Sequence, residues 1–305
     1  MPVILSLAFA LLAQAHEGEP LAPHDLWTAW TNDPIILAGM SLSALLFWRG
    51  RTRASSTWFY AAGWTALFLA LVSPVHPAGE ALFSAHMIQH EILMLVASPL
   101  LVLARPLIPY LRALPPDLRM RAVGLSRQTW FRNGWRWLSS PIPAFTIHAA
   151  ALWIWHIPQL FDATLTSELV HFLQHASFLG TALLFWWSLI FGHRAASGYG
   201  TAVILMFATL IHSGALGALL TLSPVCWYEG YLNSTAVWGL TPLEDQQIGG
   251  LIMWIPASLV YLGAGLLFLA LWLRRSDLDR NPARANGVLS TELPAIPTGS
   301  PTVTE

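Results

Sequence analysis

The sequence predicts an all-α, polytopic membrane protein of seven transmembrane helices, its mature N-terminus outside and its C-terminus in the cytoplasm. Three observations carry this. Of 305 residues, 55% are hydrophobic and only 10% charged, whereas a soluble globular chain carries about 25% charged residues. Apolar runs approaching or exceeding the roughly 20 residues of a bilayer crossing follow one another with short gaps. All 15 Lys and Arg residues, every one an arginine, lie in alternate gaps or after the last run.

Taken in order, residues 1–15 form a short apolar stretch ending in Ala13-Gln14-Ala15. This has the form of a secretory signal with a small-x-small cleavage site, although the usual basic start is missing. Residues 16–275 form the membrane domain. Its spans are expected near 34–48, 57–73, 83–104, 142–157, 169–192, 199–221 and 249–273, the first and fourth short enough to need a further turn. Trp27, Trp30, Trp48, Trp58, Trp153 and Trp155 sit at span ends, as interfacial belts do. Residues 276–305, rich in Pro, Ser, Thr and Asn without apolar periodicity, predict a disordered cytoplasmic tail.

Orientation follows from the arginines. They flank the gaps after spans one, three and five and follow span seven, so the positive-inside rule places those segments in the cytoplasm. The opposite side carries acids instead, among them Asp33, Glu80, Asp162, Glu168, Glu229, Glu244 and Asp245. An acidic face without bases attracts cations over about a Debye length, though solvation of outer loops accounts for the same residues. The 105–140 segment interleaves Leu and Ile with seven arginines, a pattern for an amphipathic helix on the inner leaflet or for a docking surface. A lone Cys226 excludes an internal disulfide and a cysteine-only metal site. No nucleic-acid partner is expected; the lipid bilayer is.

Ionisable groups inside a membrane are costly, so the histidines bear on function. His86 and His90 fall in the first two turns of span three, and His171 and His175 in the first two turns of span five. His156 closes span four at the same outer level. Each pair has the form His-x-x-x-His, which puts both imidazoles on one helix face about 6 Å apart along the axis. Two such pairs at matched depth suit a metal centre of imidazole ligands. The competing reading is interhelical hydrogen bonding between histidines or to backbone. His148 and His212 lie near mid-bilayer and are as compatible with satisfied buried histidines as with ligands. His76, with Glu80, is a possible first capture point for a cation.

Met87 and Met94 lie on span three near these histidines, and thioethers favour Cu(I), although methionine is also an ordinary core residue. Copper is therefore the expected metal, with zinc the alternative. Glu91 points about 100° away from the His86/His90 face, where it can support the site or meet another helix. Thr241-Pro242-Leu243-Glu244-Asp245-Gln246-Gln247 leads into Gly249-Gly250 at the start of span seven. The glycines allow close helix approach. The acids suit the positive end of the helix dipole, or the mouth of the histidine site together with Asp162.

Three stretches carry a resemblance: His86-Met87-Ile88-Gln89-His90 continuing through EILMLVASPLLVLARP, WIWHIPQLFDATL at 153–165, and WGLTPLEDQQIGGLIMWIP at 238–256. Together the sequence resembles the CtaG family of bacterial membrane factors for assembly of caa(3)-type cytochrome c oxidase. The resemblance covers roughly residues 25–275. It implies a multi-pass protein of the bacterial cytoplasmic membrane, not itself an enzyme, with oxidase subunits as partners and a role at copper delivery. The almost purely apolar inner halves of the spans argue against a metal permease, which leaves two rivals from other classes. One is an intramembrane zinc hydrolase, for which His-x-x-x-His with an acid and bound water would serve. The other is a b-type haem carrier with histidines on opposite sides of the iron, His90 with His175 or His148 with His212.

Overall fold

The computed structural model describes residues 21–52, 56–192 and 196–280. Among these residues every regular element is helical. The 1–15 signal segment lies outside the described residues, as does the tail from residue 281. The elements are α1 (Pro34–Gly50), α2 (Thr57–Leu71), α3 (Val75–Ala81), α4 (Phe83–Ala104), α5 (Leu107–Ala113), α6 (Pro116–Arg127), α7 (Thr129–Leu138), α8 (Pro141–Trp155), α9 (Pro158–Thr166), α10 (Glu168–Phe191), α11 (Ala196–Leu222) and α12 (Pro242–Arg280). By length and composition five segments suffice to cross a membrane: Thr57–Ala81, Phe83–Ala104, Glu168–Phe191, Gly198–Leu222 and Pro242–Asp277. α1 and α8 are apolar but shorter.

Local chemistry explains the boundaries. Asp33 caps α1, accepting from Ile35 N at 2.7 Å and Ile36 N at 3.3 Å, with Pro34 in the first turn where its missing N–H costs nothing. α8 does not gain the further turn expected of it, running from Pro141 to Trp155. Ile157 precedes Pro158 and is extended, a conformation the proline ring imposes on its predecessor, so the helix ends at Trp155 and α9 starts anew. At the other end of the chain α12 runs on through Arg280, so the first residues of the expected tail continue the last helix. The arginine-rich 105–140 segment forms three short helices, α5 to α7. In α7, Trp130, Trp135 and Trp137 are exposed beside Arg132 and Arg136.

α4 is central, packing on α3, α12, α2 and α10. Its middle, Ile92–Ala97, winds as a π-helix. Pro99 lies two residues beyond, where it has no N–H to donate and its ring displaces the turn before it. In a π turn the Met94 carbonyl would take its hydrogen bond from position 99. Trp186 Nε1 of α10 donates to it instead, at 3.0 Å, and the orphaned acceptor is satisfied. α11 and α12 form the most extensive helix pair. A Cβ at Gly250 would stand 2.7 Å from Thr221 N and 2.8 Å from Gly217 O, so only glycine permits this approach.

Candidate metal centre

α4 enters the bundle with its first turn fixed from the opposite end of the sequence. Asp245 of α12, fully buried, accepts hydrogen bonds from Phe83 N at 2.6 Å, Ser84 N at 3.1 Å and the Ser84 hydroxyl. A carboxylate is thus supplied to the N–H groups that a helix start leaves unpaired. This sets the rotation and depth of α4 and with them the positions of His86 and His90. Asp245 is thus buried against the start of α4.

Five histidines gather where α3, α4 and α10 meet. The ring of His86 is centred 4.4 Å from His90, 5.2 Å from His171 and 5.6 Å from His175. His90 lies 5.2 Å from His175, His171 lies 4.3 Å from His175, and His76 stacks on His171 at 5.2 Å. Two sets of three have ligand nitrogens within 4.8 Å of one another: His86, His90 and His175, all buried, and His76, His171 and His175. His175 belongs to both. His156 stands aside from these sets, its ring 6.4 Å from His90 and its Nδ1 held 2.7 Å from the Leu152 carbonyl.

Several of these nitrogens are buried without a hydrogen-bond partner among the described residues: both of His90 and the Nε2 of His156, His171 and His175. An unsatisfied buried polar atom costs about 1–3 kcal/mol, and natural structures carry few. Such a concentration at one point fits imidazoles arranged to coordinate a cation. His86 is held at both nitrogens, Nδ1 3.3 Å from Gly79 O and 3.3 Å from the Tyr231 hydroxyl, Nε2 3.1 Å from Gln174 Oε1. Coordination through Nε2 requires the Nδ1–H tautomer, which the Gly79 carbonyl accepts, and release of Gln174. A second hydrogen bond of this kind is what orients metal-binding imidazoles.

Three residues were missed by sequence reasoning: Gln174, Gln89 and Tyr231. The Gln89 amide donates to Ala70 O at 2.8 Å and meets His76 Nδ1 at 2.8 Å. Gln89 stands three residues after His86 and so shares its face, a signal the sequence does contain. Tyr231 comes from a loop without periodicity, and only the fold brings it in.

The remaining candidates lie elsewhere in the fold, and of these Glu91 Oε2 and both ring nitrogens of His212 are also buried without a hydrogen-bond partner among the described residues. Met87 faces Gly249 of α12 and, with Met94, is built into the apolar core. Glu91 follows His90 directly on α4 and belongs to neither histidine set. Asp162 accepts from Glu229 N and Gly230 N, both at 3.3 Å, and so anchors the loop that carries Tyr231. Glu244 closes a capping box with Thr241: Thr241 N donates to its carboxylate at 2.8 Å and Glu244 N donates to Thr241 Oγ1 at 3.2 Å. The two glutamines beside it pin the same outer loop, Gln246 to Trp227 N and Gln247 to Ser223 O. His148 bonds Thr181 at 3.0 Å and stacks on Phe185, while His212 lies against Phe145. Neither belongs to the two histidine sets.

A cleft of about 940 Å³ runs between the start of α1, α3 and α10 to this cluster. Asp33, Glu80 and Glu168 line it together with apolar groups such as Ile36, Phe172 and Leu183, and it reaches His76, His171 and His175. In the loop beyond α11, burial raises the Cys226 thiol above its ordinary range, which suppresses the thiolate a soft metal would need.

The family model described as cytochrome c oxidase caa3 assembly factor (CtaG) matches residues 42–275. Among curated proteins, an uncharacterized protein of Mycobacterium leprae is 28% identical over 271 residues, covering 82% of this chain and 40% of its own length. Uncharacterized proteins of Mycobacterium bovis and Mycobacterium tuberculosis are each 28% identical over 272 residues, covering 84% of this chain and 40% of theirs. The chain therefore spans about two fifths of the length of these relatives. No solved structure matches it.

Proposed function

Since the chain belongs to the caa3 cytochrome c oxidase assembly factor family, we propose that it serves oxidase assembly by holding copper, its cargo, at His86, His90 and His175. One observation carries this reading. Both ring nitrogens of His90 are buried without partners, at a point where His86 and His175 bring nitrogens within 4.8 Å. Three neutral imidazoles converging on one point suit a small soft or borderline cation. They suit less well a haem, whose planar macrocycle must pass between two opposed ligands. Neither histidine set contains a carboxylate, whereas a zinc hydrolase needs a general base beside its metal.

The protein works in this reading as a seven-helix, multi-pass protein of the bacterial cytoplasmic membrane, with the histidines toward the outer face and the arginines inside. α1 and α8 then complete the seven crossings. Acids around the cleft raise the local concentration of cations at its mouth, and oxidase subunits take the metal onward.

The test is metal analysis of the protein purified in mild detergent and loaded with Cu(I). About one copper per chain is expected from the single shared triad, and the double substitution His86→Ala/His90→Ala is expected to reduce tightly held copper to background. Unchanged tightly held copper in that variant, measured after challenge with a chelator, would sink the proposal.

A further inference from the structure

The two histidine sets differ in access. The cleft is lined by His76, His171 and His175, while His86 and His90 do not line it and are fully buried behind them. His175 alone faces both ways: it lines the cleft and also lies within reach of His86 and His90. His175 is common to both sets, so an ion that moves from one to the other can keep this ligand throughout. Gln89 ties them mechanically, holding His76 while standing next to His90 on α4.

We propose that His76, His171 and His175 form a second, outer copper station, and that Cu(I) passes to the buried triad by ligand exchange about His175. This rests on the copper reading above and adds an entry route to it. The exchange is balanced without redox chemistry. The bonds to His76 and His171 break as bonds to His86 and His90 form, the bond to His175 persists, and the ion stays Cu(I) throughout. His171 is suited to the middle of this path, with its ring 5.2 Å from both His76 and His86 and 4.3 Å from His175. Gln174, whose amide nitrogen is buried without a partner while its oxygen holds His86 Nε2, is the group displaced on arrival.

The experiment uses the full chain in detergent under reducing, anaerobic conditions, with Cu(I) as probe and a chromophoric Cu(I) chelator as competitor. Loading rate, stoichiometry and removal rate are read for wild type, His90→Ala and His76→Ala, with helical content checked in each. His90→Gln replaces His90→Ala if the latter fails to fold. The expected result is that the His90 variant still takes up copper at the outer station but surrenders it to the chelator at least about tenfold faster. His76→Ala is expected to retain copper as tightly as wild type but to load at least about tenfold more slowly. A folded His90 variant that takes up no copper, or a His76 variant that loads at the wild-type rate, would overturn the outer station while leaving the buried triad standing. Wild-type protein that takes up no Cu(I) would overturn both.

Discussion

The two halves of α4 are built on opposite rules. Its outer half, from Phe83 to Glu91, has its first N–H groups capped by a carboxylate 162 residues further along the chain and buries His86, Gln89 and His90. Its inner half buries Leu93, Met94, Leu95, Ala97, Leu101, Val102 and Ala104. The one buried polar side chain there, Ser98, bonds straight back to Leu93 O at 2.8 Å. In the outer half imidazole nitrogens are left unpaired; in the inner half even the carbonyl disturbed by Pro99 is repaired by Trp186. The difference teaches that the unpaired histidines and the fully satisfied apolar packing reside in separate stretches of one helix, and on the copper reading proposed above metal handling belongs to the first.

The largest expected effect tests the outer half. His175→Ala removes the ligand common to both histidine sets and should weaken Cu(I) binding by about a hundredfold or more, read by competition with a chelator. Wild-type affinity would break the contrast, because His86 and His90 of the outer half would then not be held to copper through their partner on α10. Next comes Asp245→Ala, which leaves Phe83 N, Ser84 N and the Ser84 hydroxyl without their acceptor. A loss of about 3 kcal/mol is expected from charge-assisted bonds of this kind, seen as a lower melting temperature in detergent together with weakened copper binding. Trp186→Phe probes the inner half and should cost about 1–2 kcal/mol for the unsatisfied Met94 carbonyl. Copper affinity is expected to stay at the wild-type value, and a fall would show that the halves are coupled. The smallest effect belongs to Glu244→Ala, one residue from Asp245 yet exposed and bonded only within its own capping box. Melting temperature and copper affinity should hardly move.

Neighbouring acids with such different roles show where the sequence stops being informative. Glu244 is legible as a capping residue, because Thr241-x-x-Glu244 is a local pattern whose bonds close within one turn. Asp245 reaches α4 across the bundle, and no local pattern announces that contact. Likewise, seven apolar runs coincide with helices from Pro34–Gly50 to Pro242–Arg280 because a nonpolar environment forces backbone groups to pair internally. The early stop of α8 is written in Ile157-Pro158, a local steric signal, since the proline ring holds its predecessor extended. His86 and His90 share a face because the helical period demands it, and so do His171 and His175. Which face of α4 meets α10, and that Met87 turns instead toward Gly249, depends on how each helix is rotated.

The sequence by itself therefore determined that the chain is helical and apolar, where its long helices lie, its family and the histidine pairs. These follow from composition, period and local pattern, which act over one or two turns. Only the tertiary structure decided that His175 is shared by two sets of three, that His76 joins one of them and His156 neither, and that Asp245 sets the helix carrying His86 and His90. Those outcomes depend on helix rotation and close approach, fixed by packing at contacts such as Gly217 against Gly250, between residues far apart in the chain.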